Sequence, residues 1–593
     1  MAALFTTPKR NDTTAGTHVA EPDVRRRIGL AHGSWRRVTR RIVAGAVCAL
    51  TVSSLLMPSV SLAAEWVKVG GNKYNTAASD EAGTWSWDGA DDLKLNNYNG
   101  GEIQAAGKLN VNYSGTNIVT AEWIESINVS HGTNENAELN IQGDEGGTLS
   151  VTSTEDAILS TGNINIDGAG SVNATSTGFD AINAGGDLAI KGSGNVNATG
   201  ASDGIRANGN ITIDDSGAVT ARATKDKGIG ADKNLTIKGG GTVEASSADG
   251  EALWSGGNIN ISDGSQVKAN SEEDSAVIST YKLTVTNASL NASGAKYGVH
   301  AFGGVTFDHA TVTVRTSAGG GQAIALFTDW DDIVIKNGST VDAFAEGEVS
   351  AAFSTRNDRP NEKGGHIYIS DSVVKAIARY VENGDGPIPY SENQDGETRR
   401  EPQGENIGII AQTSEGVTPA VISIIRSKVT AEGDTAAIFA RAMSADGKTI
   451  GTIKIENAAI QTPEGGKVID YRKLRDGIYE AGQAIGTGDA TVDSLYIKAV
   501  AKSTTIAPPE VAKPEDPKPD ETKPAESKPA ESKQNPKSEG SKPTKAVAAS
   551  TTKAKTTGVL AATGDTSGAA IVATVLAGTA AIAAGTMASR KRS

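Results

Sequence analysis

Six aspartates recur at a nearly constant interval in the middle of this 593-residue chain: Asp156, Asp180, Asp203, Asp226, Asp249 and Asp274, at steps of 24, 23, 23, 23 and 25. Carboxylates stacked about 5 Å apart repel and raise one another's pKa unless a cation sits between them. One reading is a row of Ca²⁺ sites that bridges to an anionic polysaccharide. The other is that each Asp caps a turn through its own backbone, the usual role of Asp before Gly. The distance from the Asp to the next apolar residue differs between SDGI and KDKGI, which weakens a regular ligand set.

Other candidates lie further along. The stretch TDWDD, 328 to 332, clusters carboxylates of the kind that glycoside hydrolysis uses. Arg356, Arg359, Arg399 and Arg400 fall in two segments, 353 to 365 and 379 to 406, that interrupt the regular pattern. Insertions in a repeat array lie on its surface and often make the binding face. These arginines either grip carboxylated sugars or pair with local acids. The six His residues, at 18, 32, 131, 300, 309 and 366, form no metal or nucleophile pattern. Cys48 is the only cysteine, which leaves no disulfide framework and no Cys-rich metal site.

The net charge is −14, yet residues 1–63 hold nine Lys/Arg against three Asp/Glu, so the remainder is more acidic still. Such a field repels phosphate backbones and argues against nucleic acid as a partner. Only 4% of the chain is aromatic while Gly supplies 69 residues, a composition suited to short strands and many tight turns.

The elements that must position the candidates are set by internal repetition. Units beginning NINIDGAG, DLAIKGSG, NITIDDSG, NLTIKGGG and NINISDGS place their first apolar residues at Ile164, Leu188, Ile211, Leu235, Ile259 and Leu283, steps of 24, 23, 24, 24 and 24. Within a unit three short stretches alternate, as in Ile164/Ile166, Val172/Ala174 and Ile182/Ala184, separated by Gly, Asn or Asp. Three strands in about 24 residues predict an all-β fold, a right-handed parallel β-helix whose coils stack at about 4.8 Å, roughly 12 coils in all. Pairs such as Leu139/Ile141, Val305/Phe307, Ile333/Ile335, Ile367/Ile369, Ile422/Ile424 and Ile453/Ile455 continue the series. Trp66, Trp85 and Trp87 fit an N-terminal cap that closes the end of the stack, or an aromatic platform for sugars.

SDGIRANGNITI, 202 to 213, and FDAINAGGDLAI, 179 to 190, resemble the repeats of extracellular bacterial β-helix proteins described as carbohydrate-binding. That resemblance covers about 139 to 315. It implies acidic or cellulosic polysaccharide as ligand, with Ca²⁺ held by Asp, here the six of the column. Many β-helix proteins are pectin-degrading enzymes. The Gly-His-Gly and Arg-x-Lys that follow the acids in β-helix polygalacturonases are missing here, whereas a lyase using a lone Arg or Lys with Ca²⁺ has no such linear signature.

The two ends read as addresses. A basic region and an apolar run, 42 to 57, are followed by Pro58 and by Ser61-Leu62-Ala63, which predicts a secretory signal cleaved after Ala63. Near the other end stand Leu560, Ala561, Ala562, Thr563 and Gly564, then an apolar run, 568 to 588, long enough to cross a bilayer, then Arg590, Lys591 and Arg592. This order resembles the cell-wall sorting signal of Gram-positive bacteria, whose usual form is Leu-Pro-X-Thr-Gly. It implies that a sortase breaks the Thr563–Gly564 bond and passes Thr563 to an amine of a peptidoglycan precursor. Ala561 stands where that pattern has Pro, which points to a sortase class accepting Leu-Ala-X-Thr-Gly. The Pro-, Lys- and Glu-rich stretch before it cannot bury enough to fold and reads as an extended spacer.

The expected organisation is a signal at 1–63, a cap and first coils at 64–138, the β-helix at 139–500, a disordered linker at 501–558 and the sorting signal at 559–593. The expected function is a wall-anchored surface protein, an adhesin or polysaccharide binder. A surface polysaccharide lyase or hydrolase, or a spacer with no ligand, are the alternatives. Membrane contact is expected only through the C-terminal helix before sorting.

Overall fold

The computed structural model describes residues 63–509, apart from 123–126, 131–136, 318–320, 361–362, 382–389, 393–397, 401–404, 476 and 489–490. The described chain is all β, with no helix. It winds repeatedly through three faces. Asn163–Gly168 lies on the first, Ser171–Ser176 on the second and Ile182–Ala184 on the third, after which Leu188–Lys191 returns to the first face and pairs parallel with Asn163–Gly168. The first face has 16 strands and the second 15; all three are long parallel sheets over most of their length, as in a parallel β-helix.

The apolar anchors explain this register. Ile164, Leu188, Ile211, Leu235, Ile259 and Leu283 pair in one unbroken column, and all are buried. The pairs at Leu139/Ile141, Val305/Phe307, Ile333/Ile335, Ile367/Ile369, Ile422/Ile424 and Ile453/Ile455 stand on the same face. Burying one such side chain contributes about 1.5–3 kcal/mol, but only because the coils above and below cover it. A register slip of one residue would turn the whole apolar set outward.

Corners have their own chemistry. Between the first and second faces, coil after coil places one residue in the left-handed region: Asp215 (φ 48), Asp263 (φ 58), Asn287 (φ 48), His309 (φ 50), Asn337 (φ 57), Asp371 (φ 50) and Asn457 (φ 53). Asn and Asp tolerate that conformation because their short polar side chains bond locally. His309 and Arg426 (φ 46) are the exceptions in type; the Arg426 guanidinium pairs with Asp371 of the coil before at 2.7 and 2.8 Å. At the corner leading from the third face to the first, a Cβ on Gly162 would lie 1.9 Å from the carbonyl oxygen of Ala137, so the close approach requires glycine.

The regular coil does not run to the end. From Tyr297 onward the third-face strands lengthen, as in Gln322–Thr328, Val349–Asn357 and Ala436–Ser444, and a second buried cluster forms around Ile324, Phe327, Ile407, Ile410, Phe439 and Tyr471. Two expectations change here. Arg356 is not on an insertion loop but on the strand Val349–Asn357, because residues 353–357 complete a longer third-face strand. The linker does not begin at 501: Ser503–Ala507 inserts antiparallel between Lys428–Gly433 and Ala459–Thr462, with Ile506 fully buried, so the fold includes it.

At each end of the stack two of the three faces turn antiparallel. Val67–Val69 pairs with Asn72–Tyr74, and Ala78–Ser79 with Trp85–Trp87, before the first coils. At the far end Lys467–Arg475 and Ile478–Gly486 form a hairpin laid against Ala436–Ser444. Such turns end the exposed parallel edge that would otherwise recruit another chain. Trp85 and Trp87 are 7% and 2% exposed, so they fill the cap's interior and leave little ring surface open.

Candidate functional site

The aspartate column divides into capping and ion-pairing members. The Asp156 carboxylate accepts the backbone N–H of Asp180 at 2.9 Å, and Asp180 in turn accepts that of Asp203 at 2.9 Å. Asp203 accepts the N–H of Lys227. Each Asp therefore caps the next coil and not its own turn. Asp203 is fully buried, and burial pushes its carboxyl up to about 6, with the carboxylates of Asp180 and Asp226 adding to the shift. Burial likewise raises Asp180.

The other members turn away. Asp226 pairs with Lys227, and Asp274 with Lys296. Burial opposes the charge on Asp274, but the hydrogen bonds from Lys296 and Ser275 outweigh it and hold the carboxyl below its ordinary value. Asp249 is exposed. The six are not one row of facing carboxylates. Among the described residues, the one group that brings three acidic ligand atoms within 4.8 Å of one another is Asp88, Asp91 and Asp92, at the cap.

A second ladder runs beside the first and went unnoticed in the sequence. Asn163 accepts the N–H of Asp187 at 2.8 Å; Asp187 accepts both the N–H and the side-chain amide of Asn210, at 2.7 and 3.1 Å. Asn210 serves Asn234 and Asn234 serves Asn258 in the same way. Its signal was available: each member immediately precedes the first apolar anchor of its unit.

The arginine segment and TDWDD meet at one corner of the third face. Arg356 donates from its guanidinium to Asp329 Oδ1 at 2.6 Å, and Nε2 of His300 lies 2.9 Å from Asp329 Oδ2. Burial opposes the charge on Asp329, but the hydrogen bond from His300 and the charge on Arg356 hold its carboxyl below the usual range. The Phe302 and Trp330 rings, on successive coils, lie 5.5 Å apart and tilted by 47°, and the Arg359 guanidinium lies 3.5 Å from the Trp330 ring centre. Next to them Asp332 accepts the His366 N–H at 2.9 Å, and Asp331 pairs with Lys282 at 2.9 Å. Burial raises Asp332 and lowers His366.

Sequence spacing could not foresee this meeting, because 300, 329 and 356 belong to coils of unequal length. The backbone of Thr398–Arg400 pairs with Tyr390–Glu392 in a separate hairpin, which holds Arg399 and Arg400. The corner joins a carboxylate, an imidazole, two guanidiniums and half-buried aromatic rings, a set able to bind a polyhydroxylated or carboxylated ligand.

Ala64, beside the expected cleavage point at Ala63, is buried in the cap. The sorting residues Leu560, Ala561, Ala562, Thr563 and Gly564 and the apolar run 568–588 lie outside the described residues, and among those described no helix is long and apolar enough to cross a membrane. The chain matches no protein-family model, no curated protein and no solved structure.

Proposed function

We propose that this chain is a cell-surface polysaccharide binder or adhesin: a right-handed β-helix exported by its N-terminal signal, carried on the Pro-rich spacer and joined to peptidoglycan by a sortase at Thr563. The observation that supports it best is the corner at His300, Asp329, Trp330, Arg356 and Arg359, built on coils whose register is locked on three faces. Parallel-sheet coils hold such side chains on rigid strands, so a ligand meets a preorganised surface. Right-handedness follows the rule for parallel crossovers. The acid-rich corner also favours a second reading, a polysaccharide lyase or hydrolase with Asp329 or Asp332 in the reaction, with or without Ca²⁺.

A panel of immobilised polysaccharides incubated with the full chain tests the reading. Retention on at least one class without release of reducing ends or unsaturated products is expected. Product release establishes the enzyme, and no retention on any glycan overturns both and leaves a spacer.

A further inference from the structure

The first face carries a different surface near the cap. Its outward residues form a grid fixed by strand register: Asp92, Asn110, Asn140 and Asn165 stand in one column, and Lys94, Asn112, Gln142 and Asp167 in the next. The first column is bonded end to end. Asn110 donates to Asp92, Asn140 to Asn110 and Asn165 to Asn140, each at 2.8 Å. These amides are locked in one orientation.

The second column is not occupied in this way. Among the described residues the side-chain amides of Asn112 and Gln142 have no protein hydrogen-bond partner, and Gln142 is exposed. Each such amide offers one acceptor oxygen and two donor hydrogens. The two amides line both of two adjoining cavities, of 340 and 580 Å³, which therefore form one trough. Trp85 and Tyr113 line the second cavity. Free amides recur here on adjacent coils, about 4.8 Å apart along the stack.

We infer that this trough binds an extended, uncharged, hydroxyl-rich polysaccharide laid along the stack, with Asn112 and Gln142 hydrogen-bonding vicinal hydroxyls of successive sugars. The spacing suits a repeating ligand, because the two amides present the same donor and acceptor set on adjacent coils. The charge selects the class: Asp92, Asp144 and Asp167 outnumber Lys94 around the trough, so uronate or phosphate groups are repelled. A neutral glycan brings donors and acceptors without that cost. The assignment rests on the glycan-binding reading above, but on a different face and a different ligand charge from the Arg356 corner.

Affinity electrophoresis of the full chain through gels containing hydroxyethyl cellulose, galactomannan or polygalacturonate tests it. Retardation by a neutral polymer is expected, weakened about tenfold or more when Asn112→Ala and Gln142→Ala are combined, and by Gln142→Trp, which fills the trough. Asn291→Ala, on the second face, should behave as wild type. Thermal melting of each variant checks the fold, and neither amide has a protein partner to lose. Unchanged retardation in both trough variants, or retardation by polygalacturonate alone, overturns the trough and leaves glycan binding standing. No retardation by any polymer overturns both.

Discussion

At the scale of single residues, Asp203 shows how a position that looks like a ligand becomes part of the framework. Its carboxylate is buried under the next coil, caps the Lys227 N–H and lies 3.5 Å from Arg206. Its folded pKa of about 6 lies above the ordinary carboxylate value of 3.8. The folded chain therefore binds more protons than the unfolded chain between those values, and stability falls as pH rises through that window. The full cost stands above pH 6, on the order of 3 kcal/mol. Asp203→Asn keeps an oxygen for Lys227 and removes the charge. It should raise the melting temperature at pH 7.5 and reduce the loss of stability between pH 4 and pH 6.5. Circular dichroism melts across that range read this directly; an unchanged slope would show that Asp203 does not cause it.

At the scale of the strand and the coil, hydrogen-bonded side-chain columns join turns that apolar burial alone would leave free to slide. The ladder Asn163, Asp187, Asn210, Asn234 and Asn258 ties five successive returns to the first face. Asn234→Ala removes the acceptor for both the N–H and the amide of Asn258 and takes the side-chain donor from Asn210, which keeps the backbone N–H of residue 234. We expect a loss of about 1–2 kcal/mol in denaturant unfolding. Asn260→Ala, outward on the next coil and exposed, should cost a few tenths at most. Equal losses at the two sites would mean that the ladder contributes nothing particular.

At the scale of the whole chain, the caps and the spacer belong to one proposal. A stack of parallel coils survives as a single surface only if its ends do not recruit partners, and antiparallel strands close two of the three faces at each end. The strand Ser503–Ala507 locks the last coils immediately before the Pro-rich stretch begins. If the chain is sorted as proposed, cells carrying Thr563→Ala should release the protein from the wall on detergent extraction, whereas the wild type stays until the peptidoglycan is digested. Covalent wall linkage that persists in Thr563→Ala would refute sortase attachment there.

The coil was legible because its cause is local and repeated. Apolar residues two apart, returning every 23 or 24 positions, can be buried only if each coil lies on a copy of itself, and the column from Ile164 to Leu283 does so. The ladder before each anchor was equally present in the sequence, though its hydrogen bonds depend on neighbouring coils. What only the tertiary structure decided is where unequal coils bring distant residues together. His300, Asp329 and Arg356 become neighbours because strands 29 and 27 residues apart stack in one face, and Asp180 and Asp203 become caps because the next coil's N–H groups lie within reach of their carboxylates. A linear pattern determines which side of a strand is apolar; the contacts between coils depend on the length of chain between them, which no period encodes.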